Sequence, residues 1–340
     1  MGGAWFVDGG FGLDRLVWRP RALPPVAPGS VRVAIRAVSL NYRDLLMVGG
    51  QYDPRQVLPL VPGSDAAGEV AEVGAGVRRW RVGDAVIPSF ATGWQSGTPE
   101  RWMQRSTLGG PLDGTFATHV DVPEAALVAK PAHLTFEEAA TLPCAGVTAW
   151  RALVSEGRLT SGETVVTQGT GGVSMFAVQI AKMHGARVGA TTSSDAKASL
   201  LRAWGAEAVW RRDQTPAWGK EALAWTEAKG ADHVLDLGGA STISESLRAV
   251  RPAGRVSLIG ILGGVEAPLP LTRIFMQGIT VQGILVGSTA DLAALCRAYE
   301  AHPTCRPVLD RVEALADLPR ALAAMARGAH AGKIVLRVAG

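Results

Sequence analysis

Residues 164–194 constrain the fold more than any other stretch: an apolar strand, a glycine turn, a helix-spaced apolar pattern and a second strand follow without interruption. Val165 and Val166 precede the turn, and Val173, Phe176, Ala177, Ile180 and Ala181 follow it at the spacing of one helix face. The turn itself, Gly169-Thr170-Gly171-Gly172-Val173-Ser174, matches G-x-G-x-x-G except at its last position. A backbone bare of Cβ atoms can approach a pyrophosphate, and the helix that follows offers unpaired N–H groups and a positive dipole end. In this context the stretch reads as half of a dinucleotide-binding unit. Ser174, in place of the third glycine, implies either wider helix–strand packing or a hydroxyl turned toward the pyrophosphate.

The same alternation of helix and strand extends through the second half of the chain. Strands are expected at 164–168, 187–191, 207–210, 233–237, 255–259 and 280–285, with helical stretches between them. These make an α/β, doubly wound, six-stranded parallel sheet that binds its ligand at the carboxyl ends of the strands. Residues 30–128 read differently: short strands such as 31–37, 68–73 and 84–87 are broken by glycine and proline turns, the pattern of a compact barrel-like domain. After residue 288 two helical stretches, 290–301 and 317–327, lead to a last strand at 333–338, which most simply returns to the first domain. The expected division is therefore 1–128 with 288–340, and 129–287.

Composition narrows the function classes. At 340 residues the chain can bury two cores, and 47% apolar with 19% charged residues fits a globular protein. The net charge of +4 comes without any basic run interleaved with aromatics, which argues against a nucleic-acid partner. No stretch approaches the roughly 18–20 apolar residues of a membrane span, and the first thirty residues lack a signal-peptide pattern, so a cytoplasmic location and no membrane partner are expected. Cys144, Cys296 and Cys305 are too few for a disulfide framework or a four-ligand zinc site. None of the six histidines falls in a metal or triad spacing, and no G-x-S-x-G elbow is present.

Several segments in order, 39–46, 61–70, 82–86, 138–149, the glycine turn and 332–336, together resemble the medium-chain dehydrogenase/reductase superfamily over nearly the whole chain. The resemblance is closest to its zinc-free, quinone-oxidoreductase-like branch. It implies a GroES-like β-barrel domain plus a Rossmann domain, paired into a homodimer or a tetramer through the last Rossmann strand. Zinc members place a cysteine where this chain has Asn41 to Asp44, and a His-Glu pair where it has Ser64-Asp65. A catalytic zinc needs three nitrogen, sulfur or carboxylate ligands and an open position, so no metal is expected. Cys144 matches the place of a third ligand, yet one thiol cannot hold the ion.

NAD-specific units carry an acid at the end of the second strand to accept the ribose 2′-OH. Here that strand ends in Thr191, Thr192, Ser193 and Ser194, with Lys197 on the next helix and Arg211 after the third strand. Hydroxyls and cations suit a 2′-phosphate, and NADPH is expected over NADH. Asp195 is the alternative ribose ligand, although its position suits a helix N-cap. Further cofactor contacts are expected from Gly238, Gly260, Ile261, Leu262, Leu285 and Val286 at strand ends and, by the resemblance, from Lys333 of a Gly-Lys pair.

Without a metal, hydride delivery to an isolated ketone lacks a Lewis acid, whereas a quinone or an α,β-unsaturated carbonyl delocalises the incoming charge, so hydrogen-bond donors suffice. The expected reaction is NADPH-dependent reduction of such a conjugated small molecule. By the resemblance, Asn41 and Tyr52 face the nicotinamide and substrate. Tyr42, Asp44 and Thr148 are further candidates, with packing under the loop, helix capping and a hydroxyl satisfied by its own helix as their respective alternatives. The competing functions are a metal-free alcohol or aldehyde oxidoreductase, an enoyl-thioester reductase, and an NADPH-binding protein with little catalysis.

Overall fold

In the computed structural model, which describes residues 2–339, strands β1 (Gly2–Val7) and β2 (Leu16–Arg21) pair as an antiparallel ribbon. The strands that follow are β3 (Ser30–Ser39), β4 (Asp65–Val73), β5 (Ala85–Pro88), β6 (His119–Pro123) and β7 (Leu127–Ala129). Val31, Val33, Ile35 and Val38 of β3 are all at most 3% exposed, and they anchor the core of this unit. A fully buried side chain of this size contributes about 1.5–3 kcal/mol, so β3 is the unit's main apolar investment. It is shared along its length: residues 30–34 pair with β6, and residues 37–39 with a strand from the far end of the chain.

The second unit contains β8 (Thr164–Gln168), β9 (Arg187–Thr192), β10 (Ala208–Arg211), β11 (Ala231–Asp236), β12 (Val250–Leu258) and β13 (Thr280–Gly283). All pairings are parallel, in the order β10-β9-β8-β11-β12-β13, so the sheet reverses direction of growth beside β8. Every residue of β8 is buried, as a strand covered on both faces requires. Five of the six expected strands match to within two residues at each end; β12 starts five residues earlier than its apolar run, at Val250.

The chain then returns to the first unit with β14 (Leu309–Ala314) and β15 (Lys333–Arg337), completing a mixed sheet ordered β14-β15-β3-β4-β5-β7 with β6 on β3. Contacts divide the chain into Met1–Val147 with Gly287–Gly340, and Thr148–Val286. The first boundary thus lies beyond the expected residue 128. Helix Phe136–Ala139, capped reciprocally by Thr135 and Glu138, packs on β3, β4 and β15, and the wide turn Leu142–Gly146 packs on β4, so both stay with the first unit. No helix among the described residues is long and apolar enough to cross a membrane.

Candidate functional site

Three neighbouring strands bring three polar residues to one end of the first unit's sheet. Ser39 of β3 pairs with Val335 of β15 on one side and with Asp65 of β4 on the other. Followed two residues further in the same antiparallel register, β3 runs out at Asn41 as β15 begins at Lys333. The Lys333 ammonium donates to Leu40 O and to Asn41 Oδ1, each at 2.5 Å. Asn41 Nδ2 donates to Ser64 Oγ at 3.4 Å, and Ser64 Oγ donates to Asp65 Oδ1 at 2.9 Å. The Cys144 N–H reaches Asp65 Oδ2 at 3.3 Å. All four side chains are buried: Lys333 is 4% exposed, Asn41 7%, Ser64 and Asp65 0%. Gly63 makes the approach possible, because its φ is +91° and a Cβ there would lie 2.4 Å from the Phe116 ring.

Burial raises Asp65 above the usual carboxylate range, while the Lys333 charge and the bonds from Asn41 and Ser64 pull it back. Asp44, whose Oδ2 accepts the Asn41 N–H at 2.7 Å, is pushed up to about 7 by burial. It caps the helix Tyr42–Val48, and its Oδ1 has no partner. The Cys144 thiol is raised by burial first and by Asp65 second, which keeps it protonated and poorly nucleophilic.

These donors do not fit a catalytic zinc, which needs three nitrogen, sulfur or carboxylate ligands: of the residues gathered in the cluster only Asp65 and Cys144 are of those types, while Asn41 and Ser64 offer an amide and a hydroxyl already engaged with Lys333 and Asp65. Among the described residues no group of three or more histidine, cysteine, aspartate or glutamate side chains lies close enough to hold a metal ion.

Tyr52 is placed by a different residue. The Arg43 guanidinium, buried at 8% exposure, lies 4.9 Å from the Tyr52 ring centroid and 4.8 Å from that of Phe90. Its two terminal nitrogens donate to Leu108 O (2.9 Å) and Gly110 O (3.2 Å), which fixes the cation between the rings. Tyr52 keeps 44% of its surface exposed. Tyr42 is 47% exposed, so it is not packed under the loop. Thr148, at 4% exposure, opens the second unit.

In that second unit the glycine turn leads from β8 into helix Gly172–Met183. Gly169 has φ +81°, and a Cβ added at Gly169 or Gly171 would meet nothing within 4 Å. The helix starts on Gly171 with no side-chain cap, so its first N–H groups depend on an outside acceptor. The Thr170 hydroxyl is buried without a partner. Open space, uncapped N–H groups and an orphaned hydroxyl fit a dinucleotide pyrophosphate on Gly169 to Val173. The Ser174 hydroxyl does not turn toward a pyrophosphate: it points inward and donates to Gln168 O at 2.6 Å, tying the helix to the strand it leaves.

Two further residues of this unit escaped the sequence reading. Gln168 donates to Asp236 (3.3 Å) and Ser246 (2.8 Å), and its Oε1 accepts from the N–H groups of Leu237 and Gly238. Asp236 accepts from Gly239 N (2.8 Å) and Thr242 Oγ1 (2.7 Å). Together they set the loop carrying Gly238 at the end of β11. Their only sequence signal is a polar residue closing each of two adjacent apolar strands.

At the end of β9, Ser194 caps helix Asp195–Ala203 by accepting from Lys197 N at 3.3 Å, so Ser194 and not Asp195 is the cap. Ser193 is exposed and the Lys197 side chain half-buried. Arg211 closes β10 and is held by two acids, Asp195 at 2.6 Å and Asp213 at 2.5 Å. Ile261 and Leu262 are exposed at 49% and 60% in the loop that follows Gly260. Leu285 is 37% exposed, and Val286 is buried with φ +39°. Lys333 lies in the first unit's polar cluster, its ammonium engaged as described.

Comparison with known proteins follows the two units. A family described as alcohol dehydrogenase GroES-like domain matches residues 27–132, and one described as zinc-binding dehydrogenase matches residues 172–301. A zinc-type alcohol dehydrogenase-like protein of Schizosaccharomyces pombe is 39% identical over 337 residues, 96% of each chain. An acryloyl-coenzyme A reductase of Metallosphaera sedula is 30% identical, covering 92% of this chain and 93% of its own. The solved structure of an NAD-dependent alcohol dehydrogenase superposes with a TM-score of 0.90 at 32% identity, over 99% of this chain and all of the other.

Proposed function

This chain is an oxidoreductase of the medium-chain dehydrogenase/reductase superfamily, and from that premise we propose that it reduces a conjugated carbonyl compound, an enone, enoyl thioester or quinone, with NADPH and without zinc. The observation that carries this reading is the Asn41 cluster: a carboxamide whose oxygen accepts from the buried Lys333 ammonium and whose Nδ2 is left to donate, in a set of residues unsuited to a metal. Donors of this kind suffice where the substrate itself spreads the incoming charge. A relative named acryloyl-coenzyme A reductase supports the enoyl thioester within that class.

Gly169 to Val173 would hold the pyrophosphate. Gly238, Gly260, Ile261, Leu262, Leu285 and Val286 would line the cofactor at the strand ends, with Ser193, Ser194, Lys197 and Arg211 at the ribose 2′-phosphate. When bound, the reduced nicotinamide supplies the hydride. Asn41 Nδ2 then donates to the substrate oxygen as negative charge develops on it, exchanging its long 3.4 Å bond to Ser64 for a shorter one. The exposed Tyr52 phenol, steadied by Arg43, delivers the proton that completes the reduction.

Oxidation of reduced nicotinamide against an enone, an enoyl thioester, a quinone and a simple ketone tests this directly, with and without a chelator. Conjugated acceptors should turn over at least tenfold faster than the ketone, unaffected by chelation. A ketone reduced as fast as the enone would favour the second reading, an alcohol or aldehyde oxidoreductase, which the names of two relatives support. Lys197→Ala with Arg211→Ala should weaken NADPH far more than NADH; equal loss would overturn the phosphate assignment. We place the enzyme in the cytoplasm as a homodimer formed along the β13 edge, where Leu271, Phe275 and Met276 are about 70% exposed.

A further inference from the structure

We propose that Lys333 is a positioning residue that fixes and polarises the Asn41 carboxamide, so that the amide presents only its Nδ2 hydrogens to a substrate oxygen. The proposal rests on the reading of Asn41 as the oxygen-binding group. A carboxamide has nearly the same shape when its oxygen and nitrogen are exchanged, so its environment must choose the orientation. An ammonium has donors and no lone pair. With Lys333 Nζ at 2.5 Å, that side of Asn41 must be the oxygen.

The choice propagates along the cluster. Nδ2 faces Ser64 Oγ, which must accept from it, and the serine proton is committed to Asp65 Oδ1 at 2.9 Å. Donation thus runs in a one-way chain from the Lys333 ammonium to the Asp65 carboxylate, through Ser64 and also from Asn41 directly. Its first link is short and charge-assisted, and such a link strengthens the donors beyond it. Its loosest link, 3.4 Å between Nδ2 and Ser64, is the one a substrate oxygen can displace. The buried cation is balanced by fully buried Asp65 of β4; Asp44, on the helix Tyr42–Val48, faces Asp65, Lys333 and Arg43 as well.

Lys333→Met, Lys333→Arg and Asn41→Ala are compared with the parent in enone reduction and in NADPH binding. Lys333→Met should lower kcat/KM on the order of 10- to 100-fold, less than removal of a transition-state donor can cost, with NADPH affinity within about twofold. Lys333→Arg should recover most of the loss. Added to Asn41→Ala, Lys333→Met should cost nothing more, because both act through one amide. Multiplying losses, or NADPH affinity falling in step with turnover, would overturn the proposal. Since Lys333→Met leaves the Asp65 charge buried alone, Lys333→Met/Asp65→Asn serves as the charge-balanced second variant, judged by the same readouts. Nitrogen–proton NMR of the Asn41 side-chain amide separates this proposal from the reading beneath it. A resonance unmoved by Lys333→Met overturns the positioning role. A resonance that moves, in an enzyme where Asn41→Ala is fully active, upholds the positioning role and removes Asn41 from the reaction.

Discussion

Arg211 illustrates how one residue can carry two opposed meanings. Its guanidinium is the natural seat for a 2′-phosphate, yet Asp195 already occupies one of its edges at 2.6 Å while remaining 82% exposed. A phosphate must therefore displace an exposed carboxylate and tolerate its charge nearby. Asp195→Asn should tighten NADPH several-fold and leave NADH almost unchanged, as read by fluorescence titration; a parallel gain for both cofactors would show that Asp195 does not guard the phosphate. Asp44 makes a second residue-scale prediction. Burial raises it from 3.8 to about 7, so the folded protein holds a proton that the unfolded chain releases. Its contribution to stability is complete below pH 3.8 and is lost as pH rises through about 7. Asp44→Asn should thus narrow the gap between urea midpoints measured at pH 5 and pH 8. An unchanged gap would place the titration elsewhere.

At the scale of elements, the strand-turn-helix around Gly169 was legible because its signals are local. Apolar period, glycine spacing and helix start all fall within twenty residues, where chain connectivity alone fixes geometry. Ser174 was not legible: whether its hydroxyl faced ligand or strand depended on the carbonyl left open by Gln168, which a string of letters does not reveal. The polar cluster was half legible. Asn41 and Asp65 stood out as substitutions at ligand positions, but Lys333 lies 292 residues from Asn41 and meets it only because β15 and β3 share a register. Gly171 offers the corresponding test. Its φ of −69° suits any residue and a Cβ would enter open space, so Gly171→Ala should change stability by less than about 1 kcal/mol. The same methyl occupies the pyrophosphate cradle, and cofactor affinity should fall at least tenfold. Preserved affinity would move the cofactor off this turn.

For the whole molecule, the alternation of helix and strand separates a barrel-like unit from a parallel-sheet unit, and contacts carry the division on to residue 147 because Phe136–Ala139 and Leu142–Gly146 are helical in rhythm but packed on the first unit's sheet. Exposure of Phe275 at 70% and Met276 at 71% beside the edge strand β13 predicts association. Phe275→Glu with Met276→Glu should halve the mass measured by light scattering while leaving the melting of the monomer intact; an unchanged mass would assign those side chains another role. The discontinuity of the first unit also sets a schedule. During synthesis Asn41, Ser64 and Asp65 emerge early, the whole parallel sheet follows, and Lys333 comes only after it. Until it arrives, the carboxylate of Asp65 has no ammonium to sit against, so the first unit cannot close dry around it. A ribosome-bound chain should acquire cofactor-binding competence before its polar cluster, and β15 should be the last strand protected from hydrogen exchange.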